Sequence, residues 1–584
     1  MICLAIEDQE TPVQRSAKVS AVLEEVQMTI RDVALASSAM LVCLAANHTV
    51  LAASCESLAS GVTLQNATVN AATSVPAGTF TPPTLPGATT SPAPITSLPG
   101  FCRVQITSHP TSDSAIGIEV WLPDGWNGKY LQVGNGGFAG NIPYSALANA
   151  ILRGYAAAGT DDGHVDPVNT DASWALGHPE KIIDFGYRAL KETTDKAKAV
   201  IKAFAGEAPG YSYFAGCSDG GREALMESQR YPDDFDGIVV GDPANNWIPL
   251  LSQAVWDVQA QLATPDSYIP PAKLPAITNA ALAACDGADG VVDGVIGRPG
   301  QCHFNPSQLL CTAGDNDNCL TEPQLAALRS IYRGPHTSAG QRVNPGFLPG
   351  AEAYPGGWSA WITGPGPGPD TVPQSLQYEF GTNFFRYMVF DDPNWDPKTL
   401  NFDEDLAIAF SKPVAGQPLE DVLSSVNPDL RPFNARHSKM IQYHGTTDPA
   451  IPPGTSVEYR RSVLSFLGIY DEGDPSGEVG SFYRLFLVPG MLHCQGGPGA
   501  NNFGQVAQLA DSDHDVIKAL EAWVEHGKAP DQIIATKFTN DNPTQPALFS
   551  RPLCPYPSVA TWNGTGDATD AVNWSCQSGS SGRR

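Results

Sequence analysis

Residues 211–230 read YSYFAGCSDGGREALMESQR, and this stretch decides the fold. Tyr211–Gly216 has the apolar, aromatic run of a short strand, and Gly221–Arg230 has the composition of a helix. Between them lies Gly216-Cys217-Ser218-Asp219-Gly220, a G-x-S-x-G sequence. A nucleophilic serine on a tight strand-to-helix turn needs small neighbours, because the backbone there is strained. The bare pattern is weak evidence in a chain with 56 Gly, since a Gly-rich turn would show it too. A strand before it and a helix after it make it informative.

Outward from this point, Arg103–Thr107, Gly117–Leu122, Tyr130–Val133 and Gly154–Ala158 read as strands, and Pro179–Ala205 as a long helical stretch. Strands alternating with helices predict a mostly parallel sheet. From about Pro243 to Leu430 the periodicity lapses into Pro, Gly, Trp and Asp, with helical pieces such as Glu322–Tyr332. Regular signals return with strands at Lys439–Tyr443 and Tyr483–Val488 and an amphipathic helix at Asp515–His526, stopped by Gly527. The expected architecture is an α/β-hydrolase core over 53–244 and 430–584, split by a lid of roughly 180 residues, 245–429. Ala71–Pro99, rich in Thr, Pro and Ala, reads as an extended leader.

Two further residues complete a constellation. His493 lies in PGMLHC, just past the strand ending at Val488, and Asp448 lies in HGTTDP, just past Tyr443. Loops at the C-terminal ends of strands are where α/β enzymes carry catalytic groups. The order Ser218, Asp448, His493 is that of α/β-hydrolases, with Ser218 as nucleophile, His493 as base and Asp448 orienting the imidazole. His444 is a rival base, but it precedes the acid and sits close to its strand. Cys217 precedes Ser218 and Cys494 follows His493, so a Ser–His contact would bring the two sulfurs within bridging range. Gly134-Asn135-Gly136-Gly137-Phe138 follows a strand and suits an oxyanion loop. The donors expected are the N–H of Asp219 and that of Gly136 or Gly137, although a plain packing turn explains the glycines equally well.

Composition narrows the function. The chain has 584 residues, a formal charge of −27 and no basic run, which disfavours nucleic acid and anionic membrane surfaces. Mean hydropathy of −0.16 is ordinary for a soluble globular protein. Arg31, the apolar run Val33–Ala46 and the small residues Ala52 and Ala53 have the order of a signal peptide starting at Met28, so 1–52 reads as extension plus leader. A buried helix is the other reading. Cleavage after Ala52 removes Cys3 and Cys43 of the twelve cysteines and leaves an even ten. No C-x-x-C pair points to zinc, so disulfides in a secreted or periplasmic protein are expected. Cys285/Cys302 and Cys311/Cys319 are close enough to pair locally. Cys285–Val295 (CDGADGVVDGV) carries three carboxylates on a Gly-rich loop, which suits Ca²⁺ but is read more readily as a solvated acidic turn.

From about Cys55 to Cys576 the chain resembles the tannase/feruloyl esterase family, which includes mono(2-hydroxyethyl) terephthalate hydrolases. GCSDGGREAL, GTTDPAIPP, PGMLHC, GNGGFAG and CDGADGVVDGV carry the resemblance. It implies a lid near Asn245–Asp429 and the triad as assigned. It also implies a structural Ca²⁺ held by the side chains of Asp286, Asp289 and Asp293 and the carbonyls of Val291 and Val295, reversing the residue-level reading. Five bridges follow from it: Cys55–Cys102, Cys217–Cys494, Cys285–Cys302, Cys311–Cys319 and Cys554–Cys576. The expected activity is hydrolysis of small or plant-polymer-linked esters of aromatic acids (ferulate, gallate or a terephthalate monoester) through an acyl-enzyme, with no membrane span. Trp358, Trp361, Phe380, Phe384, Phe385, Phe390 and Trp395 offer aromatic surface for the acyl group, although most read more readily as lid core, and Arg386 offers a charge for a substrate carboxylate, although an internal salt bridge is its nearer reading. A serine peptidase and a non-catalytic secreted binding protein are the rival readings.

Overall fold

The computed structural model describes residues 54–366, 374–469, 477–505, 508–509 and 511–578. The expectations for the start at Met28, the signal peptide and the cleavage site lie outside them. Nine strands form the main sheet: β1 (Ala67–Val75), β2 (Phe101–Ser108), β3 (Ile116–Pro123), β4 (Lys129–Val133), β5 (Ala156–Thr160), β6 (Tyr211–Cys217), β7 (Gly237–Gly241), β8 (Lys439–Gly445) and β9 (Tyr483–Val488). Their order is β1-β2-β3-β5-β4-β6-β7-β8-β9. The pairs among β1, β2, β3 and β5 are antiparallel, and from β5 to β9 every pairing is parallel. The chemistry explains the split: β5 (AAAGT) and β7 (GIVVG) are buried at every position, as strands covered on both faces must be.

The principal helices are α1 (Tyr144–Leu152), α2 (Ala189–Ala205), α3 (Asp219–Arg230), α4 (Trp247–Leu262), α5 (Leu274–Cys285), α6 (Glu322–Arg333), α7 (Leu376–Phe384), α8 (Gly454–Phe466) and α9 (Val516–His526). Alternate residues of β7 point to opposite sides. Ile238 and Val240 join a core with α2, α3 and α8, whereas Val239 joins a core with α1 and α9. A third apolar cluster packs α4 and α7 over the loops of the sheet's C-terminal edge, where Phe138 touches Trp247 and Phe380. The chain leaves the sheet after β7 and re-enters at β8, so the segment without regular periodicity supplies α4–α7 and no strand of the main sheet.

The leader differs from its expectation. Residues 71–75 are not free-running chain: they belong to β1, which pairs with β2 at the sheet edge. Exposure alternates from Ala67 to Ala71 and Ala72 is buried, as suits an edge strand with one covered face, and Cys55–Cys102 ties the segment down. The stretch Pro179–Ala205 is one continuous helical path interrupted by a π-turn at Asp184–Arg188. That wider turn leaves the Phe185 and Gly186 carbonyls to accept from Arg222 on α3.

Candidate active site

Ser218 stands between β6 and α3 with φ 67° and ψ −122°, a backbone conformation that a non-glycine residue adopts only when its surroundings hold it there. The neighbouring glycines explain how the turn fits. A Cβ on Gly216 would lie 2.3 Å from the Gly220 carbonyl oxygen, and one on Gly221 would lie 2.2 Å from that of Gly241. Ser218 thus caps the N-terminus of a 12-residue helix. Asp219, Gly136 and Gly137 line the cavity beside it, and their N–H groups have no acceptor among the described residues. Three free amides at a helix start and a facing loop suit a developing negative charge.

Asp448 follows β8 and His493 follows β9. His493 Nδ1 lies 2.8 Å from Asp448 Oδ2, while Asp448 Oδ1 accepts from the Ala450 and Ile451 amides at 2.7 and 3.0 Å. Burial pushes the Asp448 carboxyl up, but the His493 charge and hydrogen bonds from His444 and His493 outweigh it and hold the acid well below its usual range. For His493, burial disfavours the cation, yet the charge and hydrogen bond of Asp448, helped by Asp242, leave the imidazole above its ordinary value. Ser218 and His493 line the same cavity, and Cys217–Cys494 joins their neighbours with Cα atoms 6.0 Å apart. No hydrogen bond closes Ser218 to His493 among the described residues; such contacts tighten when substrate binds.

His444 is excluded as the base by its own bonds. It is fully buried, with Nδ1 2.6 Å from Ser456 Oγ and Nε2 3.0 Å from the Ile451 carbonyl, and it does not line the cavity. Asp242, which sequence reasoning passed over, takes a structural part. It follows β7 with φ 33° and accepts from the amides of Gly445 at 2.6 Å and Cys494 at 2.9 Å, so one carboxylate holds the loops that carry Asp448 and His493. Burial, set against the charges of His444 and His493, brings it to about 6. Its place just past the apolar GIVVG strand is the signal that marks it.

The cavity is about 360 Å³. Trp247, Leu250 and Leu251 of α4, Trp361, and Leu376 and Phe380 of α7 form its apolar wall. The Trp361 and Phe380 rings lie nearly parallel, 6.2 Å apart, and Trp361 meets the His493 ring edge-on at 5.1 Å. The other aromatic candidates lie elsewhere. Trp358, Phe384 and Phe385 are buried in core, Phe390 and Trp395 pack on Phe385, and Arg386 donates to the Trp395 carbonyl. No lysine or arginine is among the lining residues.

The five disulfides among the described residues join the cysteine pairs that the resemblance implies. In the acidic loop, Asp286 accepts from the Asp293 and Gly294 amides, Asp289 from Val291, and Asp293 from Val295, with the other Asp293 oxygen on Arg551 at 2.6 Å. Burial, then the charges of Asp293 and Asp286, push Asp289 up to about 6. The loop offers oxygen-only donors, the type a hard cation takes, but its three carboxylates are not among the clusters of described residues whose ligand atoms lie within 4.8 Å of one another.

A mixed sheet of this order, parallel from β5 to β9, with a strained serine at the strand–helix turn defines an α/β-hydrolase, and the chain is a carboxylic ester hydrolase. The family model "Tannase and feruloyl esterase" matches residues 102–577, and the protein belongs to that family. It is 46% identical to an uncharacterized esterase of Xanthomonas campestris pv. campestris, over 88% of this chain and 90% of that protein. Feruloyl esterase C of Talaromyces stipitatus is 32% identical over 89% of this chain and 94% of its own. The crystal structure of feruloyl esterase B from Aspergillus oryzae superposes with a TM-score of 0.79 at 31% identity, covering 90% of this chain and 99% of that one.

Proposed function

We infer that the protein is a secreted serine esterase that cleaves esters of uncharged aromatic acids through an acyl-enzyme. The observation that carries this reading is the placement of Ser218 and the Asp448-paired His493 on one apolar cavity walled by Trp361 and Phe380. His493 takes the proton of Ser218 as its Oγ attacks the ester carbonyl. The amides of Asp219 and Gly136 or Gly137 hold the oxyanion, and the imidazolium then protonates the departing alcohol. Water, deprotonated by the same imidazole, releases the acid. Asp448 fixes the tautomer in which Nδ1 carries the proton.

The substrate class rests on the wall. Aromatic faces and the absence of lining lysine or arginine favour ferulate- or gallate-like acyl groups over a terephthalate monoester, whose free carboxylate would be buried without a counter-charge. The feruloyl esterases among its relatives support the same reading. Five disulfides support an oxidising compartment. No helix of the described residues is long and apolar enough to cross a membrane. Asp286, Asp289 and Asp293, with the carbonyls of Val291 and Val295, would hold a Ca²⁺ whose contribution is to neutralise that loop's charge.

The test compares methyl ferulate, methyl gallate and a terephthalate monoester on purified wild type and Ser218→Ala. Ser218→Ala should lower kcat by on the order of 10⁴–10⁶ while the fold persists. Near-native hydrolysis by that variant would refute the serine mechanism, and preferred cleavage of the terephthalate monoester would refute the neutral-acyl assignment.

A further inference from the structure

Behind the oxyanion loop lies a group of buried acids that the ester mechanism does not use. Asp162, from the loop after β5, and Asp219 and Glu223, from α3, place carboxylate oxygens within 4.8 Å of one another, all buried. One cation is in contact with them. Arg222 sits on Asp219 at 2.6 Å and spends its remaining N–H groups on the Phe185 and Gly186 carbonyls. Asp162 and Glu223 are left facing each other without it. Each keeps one buried oxygen, Asp162 Oδ1 and Glu223 Oε1, with no hydrogen-bond partner.

Their other oxygens are committed to a single residue. Glu223 Oε2 accepts the Asn135 backbone N–H at 2.9 Å, and Asp162 Oδ2 accepts Asn135 Nδ2 at 3.0 Å. The Asn135 carbonyl takes the Gly220 N–H of α3 at 2.9 Å, and Asn135 Nδ2 also reaches the Thr160 carbonyl at 2.8 Å. Packing leaves no slack, since a Cβ on Gly134 would lie 2.6 Å from Glu223 Oε2 and 2.6 Å from the Gly220 Cα. Asn135 is therefore gripped from three sides, one residue before the Gly136 and Gly137 amides.

Two unpaired carboxylates this close in a dry interior repel each other, whereas one carboxylic acid beside one carboxylate forms an O–H···O⁻ bond that satisfies both orphaned oxygens. We propose that Asp162 and Glu223 share one proton and that this acid pair is a positioning device, holding the Asn135 loop so that the oxyanion amides face Ser218. The proposal rests on the serine-esterase reading of the same site. The surroundings agree with a bound proton: burial before all else raises both acids, Glu223 to about 7, the Asp219 charge adds to it, and Arg222 and, for Glu223, the Asn135 N–H oppose it, while Glu227 on α3 is itself raised well above its ordinary value by burial. Loss of the proton at higher pH restores the repulsion and loosens the loop, which gives an alkaline fall in turnover separate from the acid fall of His493.

The experiment follows the rate of Ser218 labelling by a fluorophosphonate, and kcat and KM for methyl ferulate, from about pH 6 to 10. Wild type, Glu223→Gln, Asp162→Asn and Glu223→Ala are compared, each checked by thermal melt. The amide of Glu223→Gln keeps a permanent N–H between the pair. That variant should stay within about threefold of wild type at neutral pH and lose the alkaline fall. Asp162→Asn should do the same. Glu223→Ala should lose roughly tenfold or more in kcat with KM nearly unchanged, because only transition-state stabilisation is affected. The pairing is refuted if wild type and Glu223→Gln share one alkaline limb, or if Gln and Ala lose activity equally. Should the Ala variant not fold, the Gln comparison decides alone. Wild type that takes no label on Ser218 refutes the serine reading instead, and labelling without methyl ferulate turnover refutes only the substrate class.

Discussion

At the scale of single residues, the site turns on the environment of His493. A base must be neutral to act, and Asp448 and Asp242 hold this imidazole above its ordinary value against the effect of burial. The sign follows directly: kcat/KM falls as pH drops through that raised value, so the acid limb should have its midpoint above about 6.5. Asp448→Asn removes the larger support. It should move the limb to lower pH and reduce kcat by on the order of 10⁴, measured as a pH–rate profile. An unchanged limb would mean that Asp448 does not set the protonation of His493. Ser218, Asp448 and His493 are legible in sequence because each carries a local signature, a short motif past an apolar strand. Asn135, Asp162 and Glu223 carry none that reveals their role, and Asp242 carries only its place just past the apolar β7. Their partners lie far along the chain, and a buried acid is recognisable only once its surroundings are known.

At the scale of elements, the turn between β6 and α3 works because backbones approach where side chains would collide. Gly221 on α3 faces the Gly241 carbonyl at the end of β7, and the added methyl of Gly221→Ala meets rigid backbone rather than a flexible side chain. A urea melt should show destabilisation of about 1–3 kcal/mol or more. Gly136→Ala meets nothing within 4 Å, so its melt should stay within about 0.5 kcal/mol of wild type. Equal melts for the two variants would contradict this account. Strands with strong apolar runs, β2 to β6, β8 and β9, were readable to within a residue or two. β1 is half polar, as an edge strand with one covered face is, and it hides inside a Thr- and Ala-rich stretch. α4 opens with Trp247-Ile248-Pro249 and is buried nearly all round, polar Ser252, Gln253, Asp257 and Gln261 included, so it lacks the one-sided apolar pattern that marks a surface helix.

At the scale of the whole molecule, the inserted segment brings the walls and the core brings the reacting groups. The acidic loop connects them: Val295 lies 3.0 Å from where a Cβ on Gly490 would stand, in the loop that carries His493, and Asp293 is paired with Arg551 of the C-terminal strands. A chelator should therefore lower the melting temperature, and added Ca²⁺ should restore it, since a ligand of the folded state alone stabilises it. A melt indifferent to both would refute the calcium assignment. The bridge between Cys217 and Cys494 spans 277 residues, so the entire insertion is enclosed in one covalent loop. A ribosome must have released nearly the whole chain before that loop can close. Biogenesis then has an ordering requirement: a cell making this esterase where thiols stay reduced should accumulate folded but poorly active polypeptide, and exposure to an oxidant after synthesis should switch the activity on.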